Sequence, residues 1–296
     1  MATLGTIDPL HLARGTAVAP EWLMAGTIWR LSGPVNLHSQ PQGQGLATQA
    51  WAGRHLQILS PERETSHGQR LRVRLLEDGY PGWLDPAALL GRATASGRPQ
   101  APCLPRSAIA RRLPQVLEFA KAAQDHPNTY RWGGSLGPDY DCSGLIQRAF
   151  ASAGIWIPRD AYLQERFCQP VAVQAGQTQL LAPGDLIFFG RPQRCTHVGL
   201  YVGGGRYLHS SGREHGRNGI GIDGLDLQLL DPVSVHYRLE LRGAGRVIRC
   251  HDGTLVSWGD DGGYNFFERL SAGGAAWERR TVYAGYDNTR AIPAGS

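Results

Sequence analysis

The order in which its patterns appear predicts an α+β fold for this chain. Short alternating strands broken by turns come first, two helical patterns follow, and a run of antiparallel strands comes after them. The length of 296 residues suggests about two domains. The 39 glycines and 19 prolines favour strands and turns over a helical bundle.

Residues 1–25 read as a lead-in without clear periodicity. Between 26 and 95 the segments GTIWRLSG, VNLHSQPQGQG, RHLQILSP, LRVRLLEDG and YPGWLDPAALL alternate apolar and polar residues between turn residues, which predicts a small β-barrel. Residues 96–107 carry three prolines and little periodicity, as a linker does. A helix is predicted over 108–125, where Leu113, Val116, Leu117, Ala120 and Ala123 share a face. HPNTYRWGGSLGPDY is then a loop. A second helix starts at Cys142, with Leu145, Ile146, Ala149, Phe150 and Ala153 at helical spacing and Gly154 to end it. Strands are predicted at 185–190, 196–203, 206–212 and 236–243, completing a second domain over 108–243. Residues 244–296 form an extension of unknown role, with further strands turned at DG and GDDGG and a tail at the end.

Composition removes several function classes. The net charge of +5 comes from scattered arginines, with no basic run interleaved with aromatics, so no nucleic-acid partner is expected. Cys103, Cys142, Cys168, Cys195 and Cys250 are odd in number, widely spaced and lack a CxxC pair. Neither a zinc site nor a disulfide framework is expected, and no cofactor is called for. No run of about 18 apolar residues predicts a membrane span. The first residues lack a basic stretch followed by an apolar one, so a cytoplasmic location is expected. Oligomeric state is left open.

The chemistry-bearing residues gather around Cys142. It sits in DCSGL at a helix start, behind Asp141 as a candidate N-cap. Free amides and the helix dipole there favour a thiolate, although the charge of Asp141 opposes it. A buried structural cysteine is the competing reading. The base would be His197 in THVGLYV. If Gly203, Gly204 and Gly205 form a hairpin loop, Val202 pairs with Arg206 and His209 with Gly199. The two imidazoles are then diagonal neighbours on one face, roughly 7 Å or less apart at Cβ. A two- or four-residue loop would put them on opposite faces. His197 as base with His209 orienting it follows the logic of nucleophilic catalysis. Each alone reads more readily as a structural histidine. The Cys142 amide is the natural oxyanion donor and Tyr130 a candidate second, with Tyr130 and Trp132 equally readable as core aromatics.

Taken together, YRWGG, DCSGL, THVGLYVG and YLHSS resemble the NlpC/P60 family of papain-like cell-wall peptidases over about 108–243. The segment before it resembles a bacterial SH3 domain. The pair is similar to γ-D-glutamyl–diamino-acid endopeptidases of cyanobacteria and bacilli. The resemblance implies a papain-like domain of helices and antiparallel sheet behind an SH3-like barrel. It implies Cys142 as nucleophile, His197 as base and His209 as orienting residue. It also implies that Tyr80 of DGYPGWL and Asp141 bind a free peptide amine, with Ser143, Tyr130 and Trp132 lining the substrate. The implied partner is a murein stem peptide of the L-Ala-γ-D-Glu-diaminopimelate type, met during recycling. Physically, an acid and a phenol closing one end of a groove fix an ammonium, and a blocked chain would leave the acid unpaired. Where relatives carry a hydroxyl after PRD this chain has Ala161, and Arg159 and Asp160 either shape the groove or form a structural ion pair. Other readings are an acyltransferase or amidase on the same fold, and an inactive wall-peptide binding module.

Overall fold

The computed structural model describes residues 12–60, 70–254, 257–258 and 264–265. The described residues up to 254 lie in one compact unit. Its first part is an antiparallel sheet of seven strands: β1 (Ile28–Leu31), β2 (Val35–His38), β3 (Leu46–Ala50), β4 (His55–Ser60), β5 (Leu71–Leu75), β6 (Pro81–Leu84) and β7 (Ala93–Ala95). Their order is β3-β2-β6-β5-β4-β1-β7. The alternation read from the sequence buries Trp29, Leu31, Leu37, Leu56, Ile58, Val73, Leu75 and Leu84.

The second part begins with α1 (Arg106–Gln124), which packs on α2 (Cys142–Ser152), followed by α3 (Ala161–Phe167). Six antiparallel strands follow: β8 (Gln169–Val171), β9 (Leu186–Arg191), β10 (Arg194–Gly203), β11 (Arg206–Ser211), β12 (Gly219–Gly224) and β13 (Leu241–Arg246), in the order β12-β11-β10-β9-β13-β8. α2 packs on β10 and β11, and α3 on β10.

The strand predicted at 236–243 is instead the end of a helix, α4 (Pro232–Leu239), and the start of β13. The alternation in HYRLEL is real, but Asp231 caps the Ser234 amide at 2.9 Å and Pro232 opens the first turn. Val233 and Tyr237, four residues apart, then pack into a cluster with Ile187, Phe189, Tyr201 and Tyr207. Helices α3 and α4 and strands β8 and β12 are elements that periodicity did not resolve.

Several contacts between the two parts are polar and buried, beside a stack of Trp51 on Trp156 at 5.6 Å. Gln147 of α2 donates to Asp78 at 2.6 Å, and Asp78 also accepts from Arg54 at 2.6 Å and from the Tyr80 amide at 3.2 Å. Ser135 Oγ donates to the Gln49 carbonyl at 2.8 Å. Of the region after residue 255, only a two-strand hairpin is described, β14 (Ser257–Trp258) with β15 (Tyr264–Asn265). The remaining expectations for 1–11 and the C-terminal tail lie outside the described residues.

Candidate active site

Cys142 opens α2, and two local features explain why the helix starts there. Asp141 is extended and its Oδ1 accepts from the Gly144 amide at 2.6 Å. Gly144 has no space for a side chain, because the Gly134 carbonyl fills the place of a Cβ. That carbonyl accepts from the Asp141 amide at 3.0 Å, so the glycine-rich loop is locked to the helix start. The Val198 amide lies near enough to the Cys142 sulfur to favour its ionised form, so the sulfur sits beside the residue that follows His197.

The expected thiolate is not the resting state. Burial, and then the Asp141 charge, push the Cys142 thiol up to about 12, outweighing the Val198 amide, the Arg159 charge and the Ser143 amide. His197 is driven the other way, well below its ordinary value, by burial and then by His209, His215 and His236. Both groups are therefore neutral at rest.

The two histidines meet as expected, by a different turn. Leu200 pairs with Leu208 and Tyr201 with Tyr207, which sets Gly199 opposite His209. The pairing then slips to Gly203 with Arg206. Only Gly204 and Gly205 form the loop, and Val202 is the extra residue of a bulge in place of the expected partner of Arg206. A two-residue turn alone would have reversed the faces, and the bulge restores them. His197 Nε2 lies 2.7 Å from His209 Nδ1. Tyr237 of α4 stacks on the His197 ring at 4.3 Å between centroids.

Asp141, expected with Tyr80 to bind a peptide amine, is paired with Arg159 in this structure. Asp141 is 6% exposed and already saturated. Arg159 Nη1 and Nη2 donate to its two oxygens at 3.0 and 2.7 Å, and the Gly133 amide donates at 2.9 Å. Ser143 is drawn into the same network, its Oγ accepting from Arg159 at 2.9 Å. The Tyr80 hydroxyl instead donates to Asp160 Oδ1 at 3.4 Å. Withdrawal from water, against the pull of Arg159, raises the Asp160 carboxyl to about 6.

Burial, first of all, raises the Tyr130 hydroxyl above its ordinary value, which keeps it a hydrogen-bond donor. Trp132 is 75% exposed on its loop. Sequence reasoning left Asp160 undecided and missed Tyr237, which stacks on His197. The Asp-Pro start of α4 was the available signal for Tyr237. Among the described residues no cluster of His, Cys, Asp and Glu could hold a metal ion, and no helix is long and apolar enough to cross a membrane.

Two segments of the chain match known protein families. Residues 127–232 match the NlpC/P60 family and residues 37–89 the bacterial dipeptidyl-peptidase Sh3 domain. The bifunctional muramidase/DL-endopeptidase CwlT of Bacillus subtilis is 38% identical over 45% of this chain and 36% of its own length. The γ-D-glutamyl-L-lysine dipeptidyl-peptidase of the same organism is 42% identical over 27% of each chain. The matches thus span about a third or less of these relatives. An NlpC/P60 family protein from Bacillus cereus aligns over 75% of this chain and 64% of its own, at 24% identity and a TM-score of 0.38. The chain therefore carries an NlpC/P60 domain behind a bacterial dipeptidyl-peptidase Sh3 domain.

Proposed function

We propose that this protein is a cysteine peptidase that hydrolyses the bond between γ-D-glutamate and a diamino acid in murein stem peptides with a free N-terminal L-alanine. The observation that carries the reading is the Tyr80–Asp160 contact at 3.4 Å. A phenol from the turn before β6 and a carboxylate withdrawn from water together offer a seat for an ammonium at the border of the two parts. Acetylating the alanine removes that charge and adds bulk where the seat closes.

In this reading Cys142 Sγ attacks the γ-carbonyl carbon. Its proton passes to His197 Nδ1, the ring nitrogen not engaged by His209. The Cys142 amide and the Tyr130 hydroxyl stabilise the oxyanion. The C–N bond breaks, the amine of the diamino acid takes the proton from His197, and a γ-glutamyl thioester remains. Water, deprotonated by His197, attacks the thioester and restores the thiol. Ser143 acts through the Arg159–Asp141 network, and Trp132 offers an exposed face to the peptide. The Bacillus subtilis γ-D-glutamyl-L-lysine dipeptidyl-peptidase supports the bond assigned, and meso-diaminopimelate is the third residue proposed. A seat for a free ammonium suits trimmed fragments, so recycling in the cytoplasm belongs to the same proposal.

Mass spectrometry of defined stem peptides, with alanine free or N-acetylated, tests the reading. Release of L-Ala-D-Glu from the free peptide alone is expected, and its loss in Cys142→Ala. Undiminished turnover by Cys142→Ala would remove the mechanism.

A further inference from the structure

His209 makes a second hydrogen bond, on the side away from His197. Its Nε2 lies 2.6 Å from Asp223 Oδ2. His209 is 0% exposed and Asp223 is 3% exposed, so water does not compete for this bond. Arg217 grips the same carboxylate, with Nε at 3.0 Å from Oδ2 and Nη2 at 2.6 Å from Oδ1. Three features of the sheet bring these groups together. Asp223 stands on β12 opposite Tyr207, and His209 stands opposite Gly221. At Gly221 the Arg217 guanidinium occupies the place that a Cβ would take. The missing side chain lets Arg217 reach across the strand to Asp223.

The protons in this chain follow from what each atom is able to do. An ionised carboxylate only accepts, and Arg217 has only donors to offer. Burial favours the neutral acid, but the His209 and Arg217 hydrogen bonds outweigh it and hold Asp223 below its ordinary value. The proton between Asp223 and His209 therefore sits on Nε2. A neutral imidazole carries one N–H, so His209 Nδ1 is bare and accepts. The 2.7 Å contact to His197 then needs its proton on His197 Nε2, and His197 Nδ1 is left bare. A bare Nδ1 is what a base toward Cys142 requires.

We propose that Asp223, clamped by Arg217, is a positioning residue that sets the tautomers of both histidines and keeps His197 Nδ1 ready to take a proton. The inference rests on the reading of His197 as the base. An acceptor at His209 Nε2 makes the whole chain donate outward from Cys142. A donor in the same place would reverse it, put the proton on His197 Nδ1 and leave the thiol without a base. Removing a comparable carboxylate behind a catalytic histidine costs about 10⁴-fold in kcat in the serine-protease case, through the wrong tautomer.

The test begins with the full-length resting protein, labelled with ¹⁵N at histidine and free of substrate. Long-range ¹H–¹⁵N correlation spectra assign the protonated nitrogen of each ring. Both His209 and His197 are expected to carry the proton on Nε2. A proton on Nδ1 of either overturns the proposal, whatever the substrate proves to be. The second arm is Asp223→Asn. A fall in kcat of roughly 10²- to 10⁴-fold, a KM within about two-fold and a mixed or Nδ1–H His209 spectrum are expected. Unchanged kcat in a folded Asp223→Asn protein would overturn it. Should that variant not fold, the wild-type spectrum still decides. Cys142→Ala with wild-type tautomers separates the two ideas, because it tests the hydrolase reading without touching the relay.

Discussion

Arg159 closes on Asp141 with two hydrogen bonds of 3.0 and 2.7 Å, and this pair holds the start of α2. Both side chains are buried, and Arg159 also donates to Thr48 of the first sheet at 2.8 Å. Asp141→Asn should therefore act on stability first. It leaves a buried guanidinium without its counter-charge and weakens the cap on the Gly144 amide. Breaking a buried pair from one side costs about 3–5 kcal/mol. Urea unfolding of Asp141→Asn against wild type reads this directly. A change below about 1 kcal/mol with strongly altered peptide selectivity would return Asp141 to the amine-binding role.

Asp160 should behave in the opposite way. Asp160→Asn keeps an acceptor for Tyr80 but removes the charge, so KM for the free-amine peptide should rise by roughly 10- to 100-fold, the loss of about 1.4–2.7 kcal/mol of charge-assisted contact. Preference over the acetylated peptide should shrink with it. Steady-state kinetics on both peptides checks this, and an unchanged ratio would count against the seat.

The raised Asp160 carboxyl also gives a pH signature. Ionised above about 6, it attracts the ammonium, and on protonation below that value it does not. The peptide amine loses its own charge above about 8. KM for the free-amine peptide should therefore be lowest between these limits and rise on both sides. Stability follows the same titration with a defined sign. The folded protein binds the Asp160 proton more tightly than the unfolded chain does. This group therefore lowers stability above about pH 6, and the penalty is relieved as pH falls toward the unfolded carboxylate value. Asp160→Asn should accordingly raise the melting temperature at pH 7 and lose that advantage near pH 3.5. Equal shifts at both values would mean that the carboxylate carries no such penalty.

A neutral thiol at rest is testable on the free protein. With Cys142 pushed up to about 12, iodoacetamide should alkylate it slowly between pH 6 and 8, read at Cys142 by peptide mass spectrometry, and the thiolate absorbance lost in Cys142→Ser should not titrate in that range. A thiolate signal with a midpoint below pH 7 would contradict the neutral pair and restore the charge state expected from the helix start alone.

The sequence was informative wherever one local rule decides the geometry. DCSGL located both the helix start and its cap because a side chain and an amide three residues on must meet. The His197–His209 contact was legible because strand periodicity is strict, even though the turn that delivers it contains a bulge at Val202. Tyr80 was legible from its motif, but its contact with Asp160 was not, because the two residues lie 80 positions apart and only the packing of the two parts brings them together. Asp223 was hidden for a similar reason. Nothing in GIGIDG marks the aspartate as facing a histidine, because the pairing of β11 with β12 fixes that relationship.

Gly199 links that register to the chemistry. A Cβ there would lie 2.6 Å from Tyr207 Cδ2 and 3.5 Å from His209 Cβ. The Tyr207 ring is fully buried and meets the His209 ring edge-on at 5.0 Å, so it has little room to yield. Gly199→Ala should thus cost about 1–3 kcal/mol through overpacking, more than the ~0.4–1 kcal/mol usually gained by stiffening the unfolded chain. Moving Tyr207 tilts His209, so kcat should fall along with stability. A double-mutant cycle with Tyr207→Leu separates this from a general weakness of the strand. The smaller side chain should remove most of the Gly199→Ala penalty, giving a coupling of about 1 kcal/mol or more. Additive effects would mean that Gly199 is required by the backbone of β10 and not by the ring packed behind His209.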